Sequence, residues 1–193
     1  MKEVPKPELN TPPSGGRGAN ILAISGSLRS GSSNHHILKY LGSLTPANIS
    51  YTIYDGLAQI PPFDPGLDTD KPPAAVAELR LLLADAGGII ICAPEYAFGV
   101  PGQLKNMLDW MVSSSSFVDK PLALITASLG GNYAHASLLL TLGALTAKVI
   151  DGATLLIPFI RSKMAADGSI ADVTTKDSLY TAFNAFLMAI SYG

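Results

Sequence analysis

Two segments of the chain combine residue types that suit a ligand with a charged end and a flat end. The first is 25-SGSLRSGSSN-34, with five Ser, two Gly and Arg29, one of four Arg in the sequence. A helix starting at the end of this segment would leave its first N–H groups unpaired, and its dipole would favour an anion beside them. Ser27, Ser32 and Ser33 add hydroxyl donors and Arg29 a charged clamp, which together describe a phosphate site. A plain strand-to-helix turn would use Ser and Asn only as caps. Arg29 argues for more, because a cation there calls for an anion or water.

The phosphate compound is narrowed by what is missing. There is no Gly-Lys-Ser/Thr of a Walker loop and no G-x-G-x-x-G dinucleotide fingerprint. A cysteine-phosphatase loop fails as well, since Cys92 has Phe98 six positions on and no Arg. A monophosphate held by Ser and Arg remains. The second segment, 94-PEYAFGVPG-102, places Tyr96 and Phe98 between Pro94 and two glycines that permit close backbone approach. Backbone donors beside aromatic surface suit a planar heteroaromatic ring. The plainer reading makes Tyr96 or Phe98 core filler, Phe98 more readily than Tyr96, and Glu95 a solvated or lysine-paired side chain.

These loops need elements to hold them. Ile21 to Ile24 is a short apolar run that reads as a buried strand, followed by Ile37, Leu38, Leu41 and Leu44 at helical spacing with Ser33 or Asn34 as N-cap. A strand over Ile49 to Tyr54 leads into a turn-rich segment through Pro73. The pattern then predicts a helix over Ala74 to Ala86, a strand at Ile89 to Cys92, a helix near Gln103 to Val112 and a strand at Leu122 to Thr126. A helix over about Tyr133 to Ala147, a strand at Ala153 to Ile157 and a helix over about Thr175 to Ala189 complete it. Five apolar strands alternating with helices predict an α/β fold, a doubly wound parallel sheet of order 2-1-3-4-5 with helices on both faces. Ligands are then expected at the carboxyl ends of strands 1, 3 and 4. Residues 1–18, rich in Pro and Gly, read as a flexible N-terminal extension before a single domain over 19–193.

Composition excludes other classes. The 193 residues are 48% apolar and only 15% charged, with net charge -2, which argues against disorder. A pI near 5.8 and no basic cluster argue against nucleic-acid binding. One Cys and three His leave no zinc-type cluster, so no metal is expected. The longest uncharged stretch, Pro121 to Ala147, is interrupted by Gly130, Gly131 and Asn132, unlike a membrane span. With no apolar leader, a cytoplasmic protein is expected.

The segments 26-GSLRSGSSN-34 and 94-PEYAFGVPGQLKNMLDW-110 resemble the two signatures of the NADPH-dependent FMN reductase family, over about residues 20 to 160. That resemblance implies a flavodoxin-like fold, bound FMN, and NADPH or NADH as electron donor. It implies ping-pong transfer to a quinone, a chromate-type metal oxyanion, an azo compound or a free flavin. By the same resemblance Ser27, Arg29, Ser32, Ser33 and Asn34 would bind the FMN phosphate. Pro94, Glu95, Tyr96 and Ala97 would run beside the isoalloxazine, and 126-TASLGG-131 would add Ser128 and Gly130. Many members have Asn where this chain has Ala97, and a Gln and an Arg where it has His135 and Leu139. A flavodoxin-type electron carrier or a flavin-binding redox sensor is the alternative; the near-neutral charge and Arg29 favour the enzyme.

Charge is scarce in one place above all: from Pro121 to Ile160 only Lys148 and Asp151 are charged. The helix within it is apolar nearly all round, so it should be buried on more than one side. A homodimer or homotetramer through the helices near 103–112 and 134–147 is therefore expected, with Met107, Trp110 and Met111 supplying an opposing surface. His35 and His36 read as surface residues without a catalytic role.

Overall fold

The computed structural model describes residues 20–191, so the extension expected over 1–18 lies outside the described residues. Five parallel strands form one sheet: β1 (Asn20–Ser25), β2 (Ser50–Tyr54), β3 (Gly88–Ala93), β4 (Pro121–Ala127) and β5 (Lys148–Ile157), in the order β2-β1-β3-β4-β5. Five helices connect and cover them: α1 (Ser33–Leu44), α2 (Ala74–Asp85), α3 (Gly102–Asp109), α4 (Asn132–Ala144) and α5 (Val173–Ser191).

The three central strands, β1, β3 and β4, are buried almost throughout and apolar without alternation because both faces of the sheet are covered there. Every residue of β3 is buried. Ile89 and Ile91 face one core with Leu79 and Leu83 of α2, Leu104 of α3 and Leu138 of α4. Ile90 and Cys92 face the other, with Ile37 and Leu41 of α1 and Phe183 and Phe186 of α5. Strand order reverses between β1 and β3, so the loops after these strands diverge and leave a crevice at their carboxyl ends.

Three local expectations are corrected. The N-cap of α1 is Ser32, whose hydroxyl accepts from the His35 N–H at 3.1 Å; Ser33 and Asn34 lie inside the first turn. β5 begins at Lys148, five residues before the apolar run, and its pairing with β4 is irregular between Leu122 and Leu124. An edge strand bonded on one side tolerates Asp151 and Gly152 where a central strand would not. Met107, Trp110 and Met111 are fully buried within the subunit and present no outer surface. Trp110 donates its indole N–H to Pro61 O at 2.8 Å and meets Phe63 edge-on at 5.1 Å. Gln103 and Asn106 bind the carbonyls of Leu57, Ile60 and Pro61, so α3 anchors the turn-rich segment.

Candidate active site

At the carboxyl edge of the sheet lies a cavity of about 350 Å³, walled by the loops after β1, β3, β4 and β5. Its two ends differ chemically.

At one end α1 begins. The main-chain N–H groups of Ser33 and Asn34 find no acceptor among the described residues, as expected of a helix start. Ser27 is buried; its Oγ accepts from the Arg29 N–H at 3.4 Å and keeps its own proton to donate. Arg29 is exposed and lines the cavity, and so is Arg161, from the short 3-10 turn Ile160–Lys163 after β5. Neither takes part in the salt bridges among the described residues, Arg80–Asp68 and Lys105–Asp109. Two uncommitted guanidinium groups, two open N–H groups and serine hydroxyls form a set of donors with no acceptor, which is what a phosphate requires.

Asn34 lines the cavity but its side chain is committed inward. Its amide donates to Ala127 O at 3.2 Å and accepts from Cys92 Sγ at 3.2 Å, tying α1 to β4 and β3. Burial pushes the Cys92 thiol far above its ordinary range, so it stays protonated and serves as that donor.

At the other end stands the loop after β3. Tyr96 and Gly99 exchange main-chain hydrogen bonds, Tyr96 N to Gly99 O at 3.1 Å and Gly99 N to Tyr96 O at 2.9 Å. The two residues between them, Ala97 and Phe98, have φ of 47° and 59°. Both central residues at positive φ form the tight turn that Asn-Gly makes best. Phe98 is 77% exposed and meets Tyr133 of α4 edge-on at 5.4 Å, so it is not core filler.

Glu95 is half-buried and takes part in no ion pair with a lysine among the described residues. Its carboxylate accepts from Gly131 N at 3.3 Å and Ala134 N at 2.9 Å, capping α4 from a different loop. Gly131 makes the turn into α4 at φ 111°, where a side chain would strike Leu156 and Thr126. Ser128 completes the joint: its Oγ accepts from Glu95 N at 3.1 Å and donates to Glu95 O at 3.3 Å. Phe159 N and Ile160 N in turn bind Leu129 O and Ser128 O, which carries Arg161 to the cavity.

The cavity thus gathers Ser27, Arg29, Ser32, Ser33, Asn34, Pro94, Glu95, Tyr96 and Ser128. Ala97 and Gly130 are not in its lining; a side chain at Gly130 would sit 3.6 Å from the Glu95 carboxylate. Sequence reasoning missed Ala127, Leu129, Ile160 and Arg161. Arg161 had a signal: it is the first charge after the apolar run of β5 and follows a strand whose carboxyl end faces the same crevice. His35 and His36 are half-buried rather than fully on the surface, and burial lowers the His35 pKa. His135 is half-buried, with Nδ1 2.8 Å from Thr126 Oγ1, and desolvation lowers its pKa below the ordinary imidazole value.

Residues 19–161 match the family model described as NADPH-dependent FMN reductase. The chain belongs to the NADPH-dependent FMN reductase family. Among curated relatives it is 30% identical over 180 residues to a quinone reductase of Escherichia coli strain K12, covering 88% of this chain and 96% of that protein. It is 32% identical over 167 residues to a 2-hydroxy-1,4-benzoquinone reductase of a Burkholderia species, covering 83% and 90%. Among solved structures, FerB, a flavoenzyme NAD(P)H:(acceptor) oxidoreductase from Paracoccus denitrificans, superposes with a TM-score of 0.71 at 26% identity, over 90% of this chain and 98% of that one. This FMN reductase family member is accordingly an NAD(P)H-dependent oxidoreductase with FMN as cofactor and a flavodoxin-like fold. The donor-only end and the aromatic end of the cavity fit a phosphate and a fused ring respectively. No helix among the described residues is long and apolar enough to cross a membrane.

Proposed function

We propose that the chain is a quinone reductase that works by ping-pong exchange, with NAD(P)H and the quinone using one shelf above the cofactor in turn. The observation that carries this reading is the cavity with two chemically different ends, cationic at α1 and aromatic at the loop after β3. FMN, when bound, supplies the redox chemistry, taking a hydride and releasing its electrons to an acceptor. The protein's part is placement. Ser27, Arg29, Ser32, Arg161 and the N–H groups of Ser33 and Asn34 hold the phosphate; Pro94, Glu95, Tyr96 and Ser128 line the ring's end of the cavity.

The Glu95 carboxylate is engaged by the two N–H groups it caps. The Tyr96 phenol, 57% exposed at the cavity, is free to donate a hydrogen bond to a quinone carbonyl. The exposed apolar side chains of Phe98, Leu129 and Tyr133 favour a flat, weakly polar acceptor.

The working unit we propose is a homodimer or homotetramer built on the outer face of α4. Ala134, Leu138 and Leu142 face the sheet, whereas Tyr133 and Leu140 are 63% and 78% exposed. An apolar face of this extent on a monomer calls for a partner surface. A cytoplasmic setting, where NAD(P)H is available, goes with this chemistry.

Anaerobic mixing of the FMN-loaded protein with NADPH, then with a benzoquinone, tests the proposal. The flavin absorbance should bleach and then return on quinone addition. Failure to bind FMN or to bleach sinks the reductase reading, and binding without bleaching points to the electron carrier; bleaching without return on quinone removes the quinone as acceptor.

A further inference from the structure

Past the phosphate end, the cavity continues into an open groove of about 440 Å³ between the first turn of α1 and the segment 164–168. Arg29, Ser33 and Arg161 line both spaces, so the two guanidinium groups stand at the boundary rather than at the end of a closed cradle. The far part of the groove has a different character. Met164, Ala165 and Ala166 stand along its mainly polar lining, and His36 contributes a flat ring. Gly168, at φ 83°, makes room for that ring: a side chain there would lie 2.4 Å from His36. Asp167 adds a carboxylate to the lining, with Oδ1 accepting from Ser169 N at 2.8 Å.

Cations at the mouth, a carboxylate beyond them and a flat ring near Met164 form a sequence that a nucleoside phosphate would match. Guanidinium groups take phosphate, a carboxylate takes ribose hydroxyls, and an imidazole face takes a base. We infer that this groove receives the adenosine phosphate half of FAD, so that the protein accepts FAD as well as FMN. The inference rests on the FMN reading of the main cavity. Arg29 and Arg161 would then straddle the diphosphate, one phosphate in the cradle and the next in the groove.

Titration of the flavin-free full-length protein with FMN and FAD, followed by flavin fluorescence, tests this without any turnover. FAD should bind within about tenfold of FMN. Ala166→Trp, which fills the groove away from the cradle, should weaken FAD by at least about tenfold and leave FMN unchanged. Ala166→Glu should do the same by putting a charged carboxylate where the adenosine would lie, and retained FMN binding reports that either variant has folded. FAD weaker than FMN by more than that margin in the wild type overturns the inference, as does an FAD-to-FMN affinity ratio unmoved by both variants. If neither flavin binds, the FMN site itself is wrong, whereas FMN binding without FAD removes only the groove.

Discussion

Arg29 and Arg161 approach the cavity from opposite ends of the chain, each without a carboxylate partner among the described residues. A charge-assisted hydrogen bond contributes about 1.5–3 kcal/mol, so Arg29→Ala or Arg161→Ala should raise the FMN dissociation constant roughly 10- to 100-fold. Because both side chains are exposed, the denaturation midpoint should move little. Ala97 makes an opposite case. Its φ of 47° strains any residue with a Cβ, and Asn tolerates that region better than Ala. Ala97→Asn should therefore stabilise the fold by up to about 1 kcal/mol in urea denaturation. His135 sets a pH dependence. Its folded-state pKa lies below 6.5, so as pH falls through that value the unfolded chain takes up the proton first and stability is lost. The drop in denaturation midpoint between pH 7.5 and 5.5 should be smaller in His135→Gln, with His35 adding a residual loss of the same sign.

Among the elements, the joint between the loop after β3 and α4 is the one that turns two walls of the cavity into one body. Glu95→Ala would leave the Gly131 and Ala134 N–H groups uncapped and should cost about 1 kcal/mol of stability, read as a lower denaturation midpoint. It should also loosen FMN, because the loop after β3 then loses its tie to the start of α4 and keeps only its main-chain bonds to Ser128. This joint was not legible in the sequence: nothing local marks a carboxylate as the cap of a helix 39 positions away. The doubly covered sheet was legible, because continuous apolar runs such as Ile89 to Cys92, alternating with helical patterns, suit strands buried on both faces. The start of β5 was not, since Lys148, Asp151 and Gly152 break the apolar signal on an edge strand. Within 25-SGSLRSGSSN-34 the site's character was plain, but the choice of cap among several serines depended on where the helix turned.

For the whole molecule, the shortage of charge has two causes. Part of it is interior: Trp110, Met107 and Met111 sit in the core, where sequence pattern had placed them at a surface. A tryptophan whose N–H reaches a loop carbonyl needs no partner subunit to be buried. The rest is exterior, on α4, where Leu140 and Tyr133 face outward with Phe98 beside them. Light scattering at micromolar concentration should show an oligomer, and Leu140→Glu should convert it to a monomer that still folds. A wild-type monomer under those conditions contradicts the interface.

The loop from Tyr96 to Gly99 closes on itself through main-chain bonds alone. Its side chains at 97 and 98 make none of those bonds, so what constrains them is the positive φ they share. Over generations those two positions can exchange among residues that accept that backbone while the architecture persists, and Phe98 lies at the edge where an incoming acceptor would first touch. Diversification of this enzyme's acceptor repertoire should thus begin there, at a site where novelty leaves the cofactor in place.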